Sequence, residues 1–353
     1  MALDRLTAAP WSPRRVLSSI PYNVGMDQIR WGILSTGRIA GRLAETLRTL
    51  EGAELLAVGS RSQASAEAFG ERYGIPRRYG SYQELVADPD LDVIYVASPH
   101  SHHYAHTLLA LEAGKHALVE KSFAHNAAEA RRMIEKARGK KLFLMEAMWT
   151  RFLPHMVRLR ELLQEGVIGE VRLIQASMGF RAPVAPESRL LNPELAGGAL
   201  LDVGVYPVSF TSMVWGKPER LDSQVYLGPT GVDLQETLLL GYSDGRLATL
   251  VSSLHTPTHV AAYLYGTEGY IEIPSPWYRA RSLVLHKNGH AETLECPYEG
   301  HGDGFQALET MRCIRAGKLE SAVMPLGETL EIMQTLDAFR QGWGLVYPNE
   351  LRD

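Results

Sequence analysis

The chain has 353 residues, 45% of them hydrophobic and 22% charged, with a formal net charge of −4. That length exceeds one average domain, and the proportions are ordinary for a globular protein with a large core. The mildly acidic balance argues against nucleic-acid or membrane-surface partners, and the longest apolar run, 199–215, is broken by Asp202 and Pro207 and too short to span a bilayer.

Residues 1–26 carry Pro10, Pro13 and Pro21 beside Arg5, Arg14 and Arg15, with no sustained period and no unbroken apolar core of a signal peptide. They read as a disordered extension; an arm packed on a neighbour and a start codon assigned ahead of Met26 stay open. The fold then begins with 30–44 (RWGILSTGRIAGRLA). Trp31, Ile33 and Leu34 make a strand, Gly37 a turn, and Ile39, Leu43 and Leu47 one face of a helix. Strand, tight turn and helix in that order present backbone N–H groups and a helix N-terminus to a pyrophosphate. The dinucleotide pattern G-x-G-x-x-G/A is met in part, with Ser35 at the first glycine, Gly37 at the second and Ala40 at the third. An ordinary βα turn has the same look.

Strand and helix signals alternate from there. Strands are expected at 54–60, 77–79, 92–98, 116–120 and 141–146, and helices at 63–73, 82–87, 102–113 and 127–138. The run DVIYVAS at 92–98 is that of a buried parallel strand, and Gly114 is a natural helix stop. Such alternation implies a doubly wound parallel sheet, with ligands beyond the carboxyl ends of its strands. That rule gathers 35–38, 60–62, 98–102, 120–122 and 147–151. The second strand ends in Ser60-Arg61-Ser62 where an NAD-selective site carries an acid, so the cofactor is read as NADP(H), with Arg38 as a further phosphate contact. A solvated loop arginine is the plainer reading of Arg61.

From 151 the pattern changes. Asp244-Gly245 joins 234–242 to 246–253, and Asn288-Gly289 joins 282–287 to 290–294, both as hairpins. With 171–180, 220–227, 260–265 and 270–273 they form a large, mostly antiparallel open sheet, interrupted by helices at 154–165 and about 200–214 and closed by helices near 304–316 and 326–342. The expected organisation is a Rossmann domain over 27–150 and an α+β domain for substrate and dimerisation over 151–353, its closing helices packing back on the first. The broad sheet is expected to join two copies into a homodimer. Cys296 and Cys313, in no metal or redox spacing, fit a reducing cytoplasm.

Two stretches carry the chemistry. Glu120-Lys121-Ser122 lies at a strand end, where a lysine can reach the nicotinamide ribose and lower the pKa of a neighbouring acid. Residues 197–207 (GGALLDVGVYP) place Asp202 and Tyr206 four apart, on one face of a helical turn. Tyrosine beside a cation exchanges protons with an alcohol or carbonyl. The same spacing suits a helix cap and a packed aromatic. His102 and His106 lie one turn apart near His100 and His103, but no carboxylate or thiolate joins them at ligand spacing, so no metal is expected.

The chain resembles the Gfo/Idh/MocA family from about residue 29 onward. The resemblance is carried by the partial fingerprint, 96–102 (VASPHSH), the E-K-P-like 120–122, 145–154 (MEAMWTRFLP) and the 197–207 run. The MEAMWTRF segment, the D-x-G-x-Y ending and Ser35 are most similar to the dimeric dihydrodiol dehydrogenase and glucose–fructose oxidoreductase branch. The resemblance implies that Lys121 touches substrate and nicotinamide ribose, that Tyr206 is the acid–base group with Asp202 as its polar companion, that Trp149 and Arg151 lie beside the nicotinamide, and that His100 lines the ribose end. The expected cofactor-binding set is then Ser35, Thr36, Gly37, Arg38, Ile39, Ser60, Arg61, Ser98, His100, His103, Glu120, Lys121, Trp149 and Arg151. Ser122 replaces the usual proline and is expected to loosen the turn after Lys121.

The activity this implies is NADP-dependent hydride transfer to or from a sugar, cyclic polyol or trans-dihydrodiol, with the Tyr206 pKa lowered by Lys121. Alternatives are a sugar–sugar oxidoreductase with tightly held cofactor and a non-catalytic NADP-binding sensor. Phe180, Arg181 and Trp277 are candidate substrate contacts.

Overall fold

The structure, a computed structural model, describes residues 28–182, 185 and 188–351; the expectation for 1–26 lies outside the described residues. Six strands form a parallel sheet in the order β3-β2-β1-β4-β5-β6. They are β1 (Ile29–Leu34), β2 (Ala53–Gly59), β3 (Arg77–Tyr79), β4 (Val93–Val96), β5 (His116–Val119) and β6 (Leu144–Glu146). All four residues of β4 are buried, because a parallel sheet covered on both faces has no wet side to alternate with. The helices that cover it are α1 (Arg38–Leu47), α2 (Gln63–Tyr73), α3 (Tyr82–Ala87), α4 (His103–Glu112) and α5 (Ala127–Lys140). The order reverses between β1 and β4, which puts the ligand crevice at their carboxyl ends.

After α6 (Pro154–Gln164), eight strands form the second sheet: β7 (Val171–Gly179), β8 (Arg220–Leu227), β9 (Asp233–Gly241), β10 (Leu247–Ser253), β11 (Ala262–Gly266), β12 (Tyr270–Ile273), β13 (Ser282–Lys287) and β14 (His290–Glu295). Their order is β14-β13-β12-β11-β7-β10-β9-β8, antiparallel except where β7 meets β10. Both expected hairpins form, with Gly245 at φ +86° and Asn288-Gly289 at +53° and +75°, the positive angles that a tight hairpin turn demands.

One face of this sheet carries Glu236, Leu238, Leu240, Ala248, Leu250 and Ser252 into the interior against α7 (Val205–Trp215), while Thr237 and Leu239 point outward, Leu239 with 46% of its surface exposed. The outer face continues through Tyr263 and Tyr265, whose rings stack at 6.0 Å, to Tyr270 and His286, stacked at 4.1 Å. The closing helices α8 (Gly304–Arg315) and α9 (Leu326–Trp343) turn back to the first sheet. Asp337 on α9 accepts the Ala127 N–H of α5 at 2.8 Å, and Thr329 reaches Glu146 at 3.2 Å. The helix expected at 200–214 starts as a π-helical turn, Leu200–Gly204, before α7.

Candidate active site

At the end of β1 the turn holds Ser35 at φ +101°, a left-handed conformation that glycine adopts without cost and that a Cβ opposes. Gly37 is the N-cap of α1, extended, with no side-chain cap and no acid in the first turn, so the N–H groups at the start of that helix keep their hydrogen-bonding capacity. Ala40 and Gly41 are buried, which lets the helix sit close to the strands. Ile39 packs against the core from a partly buried position. Thr36 and Ser60 bring their hydroxyls to 3.5 Å. Arg38 and Arg61 are exposed and unpaired by any hydrogen bond or ion pair among the described residues. Ser62 serves elsewhere: its hydroxyl accepts the Ser65 N–H at 3.3 Å and caps α2. Tyr82, which no sequence signal marked, packs its ring on the edge of His106 at 4.6 Å and is held above the usual tyrosine pKa by burial, with Arg61 pulling the other way.

The next strand ends are held by histidines. His103 is fully buried, and its two nitrogens lie 2.8 Å from the carbonyl oxygens of Ser122 and Ser98. Burial lowers its pKa to about 4, and a neutral ring has one N–H to donate, so one of the two carbonyls accepts it and the other is only packed against; this strut between two turns does not face a cofactor. That strut also ties down the turn after Lys121, where Ser122 is buried without the proline that was expected to be missed. Ser98 shares its hydroxyl with His106 Nδ1 at 2.9 Å. His100 reaches the Ala196 carbonyl at 3.2 Å, across to the second half of the chain. Glu120 accepts from the Tyr95 hydroxyl, and burial raises it to about 7.

Lys121, Trp149 and the Asp202–Tyr206 pair come together from three separate segments. Lys121 Nζ donates to the Asp202 carbonyl oxygen at 2.6 Å, lies 3.5 Å from the Asp202 carboxylate and sits 4.9 Å above the Tyr206 ring. Trp149 Nε1 donates to the Tyr206 hydroxyl at 3.1 Å. Arg189 donates to Asp202 at 3.0 Å, a partner that sequence spacing had not marked. Asp202 is held well below the usual carboxylate range: burial opposes ionisation, and Lys121 and Arg189 together outweigh it. Lys121 is raised, the carboxylate of Asp202 overcoming desolvation.

Three expectations are corrected by this geometry. The Tyr206 pKa is raised, because full burial of the phenol outweighs the pull of Lys121. Arg151 turns away: its guanidinium is buried against Ser209 Oγ at 3.0 Å, the Ser209 carbonyl at 2.6 Å and Glu328 at 2.7 Å, and so ties α7 to α9. Trp277 is core, fully buried with its N–H on the Ser177 carbonyl and its ring 5.1 Å from Phe210. Its neighbour Tyr278 faces the site, 6.1 Å from both the Trp149 and the Tyr206 rings. Phe180 and Arg181 lie exposed just past β7.

Residues 29–148 match the family model described as "Oxidoreductase family, NAD-binding Rossmann fold", and residues 156–272 match the GFO/IDH/MocA C-terminal domain. The chain is 40% identical to D-xylose 1-dehydrogenase (NADP(+)) of Hypocrea jecorina, over 91% of this chain and 93% of that protein. It is 38% identical to trans-1,2-dihydrobenzene-1,2-diol dehydrogenase of Mus musculus, over 92% and 99%. Among solved structures, a 3-ketoreductase from Actinomadura kijaniata in complex with NADP and TDP-benzene superposes with a TM-score of 0.80 at 26% identity, covering 90% of this chain and 98% of that one. With both halves matched in order, and close relatives covering nine-tenths of its length, the chain belongs to the Gfo/Idh/MocA family of oxidoreductases.

Proposed function

We propose that this protein is an NADP-dependent dehydrogenase or reductase acting on CH–OH groups of a sugar, cyclic polyol or trans-dihydrodiol. The observation that carries this is the contact of partly buried Lys121 with the buried Tyr206 ring, locked by Asp202, beyond the carboxyl ends of the parallel strands, where Arg38 and Arg61 stand exposed with no hydrogen bond or ion pair among the described residues.

The residues fit the cofactor at both ends. The uncapped start of α1 and the Ser35–Thr36–Gly37 backbone suit a pyrophosphate, and Ser60 with Arg61 suits a ribose 2′-phosphate. Two relatives point the same way: the 40%-identical dehydrogenase is named for NADP(+), and the 26%-identical ketoreductase was solved with NADP. When bound, NADP supplies the nicotinamide ring that takes or gives the hydride. In reduction Tyr206, resting as the phenol, gives its proton to the carbonyl oxygen; in oxidation it first releases that proton to solvent and then takes the hydroxyl proton as the phenolate. Lys121 holds a positive charge over the ring, which favours the phenolate as it forms; Asp202 keeps that lysine protonated and in place. Trp149 fixes the phenol oxygen, and Tyr278 closes the aromatic wall. Keeping Lys121, Asp202 and Tyr206 together speaks against a sensor, since function lies in the site and not in the fold.

Replacing Tyr206 by Phe is expected to cut turnover by about 10²–10⁴-fold while NADPH affinity stays unchanged. Steady-state kinetics with D-xylose and trans-1,2-dihydrobenzene-1,2-diol, each with NADP+ and NAD+, test this; parental turnover in that variant overturns the assignment. The outer face of the second sheet, with Leu239 and the stacked tyrosines, supports a homodimer, and sedimentation as a monomer at assay concentration would overturn that part. No helix among the described residues is long and apolar enough to cross a membrane. The buried free thiols of Cys296 and Cys313 fit the reducing cytoplasm.

A further inference from the structure

Tyr206 and Asp202 do not belong to a helix that starts on its own terms. Their segment begins in the π-helical turn Leu200–Gly204, which has no side-chain cap from its own neighbourhood. A helix start leaves several N–H groups without partners, so something else must take them. Here it is Asp233, a fully buried residue at the start of β9, whose Oδ2 accepts the Leu200 N–H at 2.5 Å. Just upstream, the Gly197 carbonyl accepts the hydroxyl of Tyr347 at 2.7 Å. Gly198 lies between these two anchors at φ +122°, and a side-chain carbon there would drive into the Asp233 carboxylate and crowd the Tyr347 hydroxyl.

Tyr347 comes from a strap, 344–351, that follows α9. It is 1% exposed, with the Arg340 guanidinium 4.9 Å above its ring. Beyond it, Asn349 reaches Glu194 at 3.3 Å, and the Leu351 carbonyl accepts from Asn126, the N-cap of α5, at 2.6 Å. One strap therefore touches both the helix layer of the parallel sheet and the turn that leads into the acid–base segment. Nothing in the chemistry of hydride transfer requires Tyr347 or Asp233 near the reacting atoms. What they set is the height and rotation of the turn, and with it the place where Asp202 offers both its carbonyl and its carboxylate to Lys121.

We infer that Tyr347 and Asp233 are positioning residues for the reaction: they grip the turn at 197–200 from two sides and so fix where Tyr206 and Asp202 meet Lys121. The inference rests on the acid–base reading of Tyr206 given above. A shift of the turn by about 1 Å is enough to cost of the order of 10²-fold in rate, and loss of one of two anchors moves it by less.

The test is Tyr347→Phe, which keeps the ring against Arg340 and removes only the hydroxyl that holds Gly197. Asp233→Asn, which keeps the shape of the cap and weakens the acceptor, is the second variant should the first fold poorly. Each is assayed in the full chain with whichever of D-xylose and trans-1,2-dihydrobenzene-1,2-diol the parent oxidises faster, with and without deuterium on the carbinol carbon. The expected result is a fall in kcat of about tenfold, an unchanged KM for NADP+, and a larger deuterium isotope effect as hydride transfer becomes rate-limiting. A purely structural role would lower the melting temperature and leave the isotope effect where it was. Parental kcat and isotope effect in both variants overturn the inference. Tyr206→Phe run alongside separates the two readings: if it is inactive while Tyr347→Phe is normal, only the positioning role falls; if it is fully active, the acid–base reading falls first.

Discussion

The two ends of the crevice are built by opposite means. At the end proposed for the adenosine, 35–38 and 60–61, the chain offers backbone N–H groups, short hydroxyls and two exposed arginines with no hydrogen bond or ion pair among the described residues. At the reaction end, Asp202, Tyr206 and Trp149 are buried, Lys121 is partly buried, and they hold one another, with Arg189 and Glu120 around them. The first end is local and open, so its affinity comes from groups that wait for a ligand. The second is assembled before any ligand arrives, as preorganisation for proton transfer demands. Charge stands exposed at one end; at the other Lys121 and Arg189 pair with Asp202, because an unpaired charge in a buried site is costly.

That contrast breaks most clearly at Arg61. Arg61→Ala is expected to lower the preference for NADP+ over NAD+ by about 100-fold, or ~3 kcal/mol, with kcat on NAD+ unchanged; the ratio of kcat/KM values measures it. A preference that does not move would mean the exposed arginine binds nothing.

The buried end is sharpened by its titration. Glu146, fully buried with Oε1 lacking a hydrogen-bond partner among the described residues, is pushed up to about 7 by desolvation. A carboxyl whose folded pKa lies above its unfolded value contributes stability below the unfolded pKa and loses it as pH rises through 7. Glu146→Gln does not titrate, so its stability relative to the parent should improve by about 2 kcal/mol between about pH 5 and pH 8, as read from urea midpoints. An advantage independent of pH would show that the carboxyl stays neutral or finds a partner.

The smallest effect returns to the open end. Ser35→Gly should stabilise the chain by about 1 kcal/mol, since glycine holds φ +101° without opposing it and NADPH binding has no need of the hydroxymethyl group. Thermal melting and a fluorescence titration check both halves of that statement.

How far the sequence could be read follows the same division. The six-strand parallel sheet, the two hairpins at Asp244-Gly245 and Asn288-Gly289 and the strand–turn–helix around 35–40 were all legible, because each depends on neighbours in the chain. The site was legible as a set of residue types, since Lys121, Asp202, Tyr206 and Trp149 stand in motifs. Where each side chain points was not. Arg151 lies two residues from Trp149, yet it faces Ser209 and Glu328; Trp277 is core while Tyr278 faces the site. Arg189, Asp233 and Tyr347 carried no signal at all, because their partners lie 13, 33 and 150 residues away.

Spacing and composition by themselves determined the alternation of strand and helix, the position of the glycine turn after the first strand and the kinds of group available for proton transfer. Only the tertiary structure decided that Tyr206 sits desolvated with a raised pKa, that Arg151 is a brace, and that a strap from the far end of the chain holds the turn before Asp202. Secondary structure answers to neighbours within a few residues; burial and charge pairing answer to every segment that folds into the same volume, and no local pattern encodes that sum.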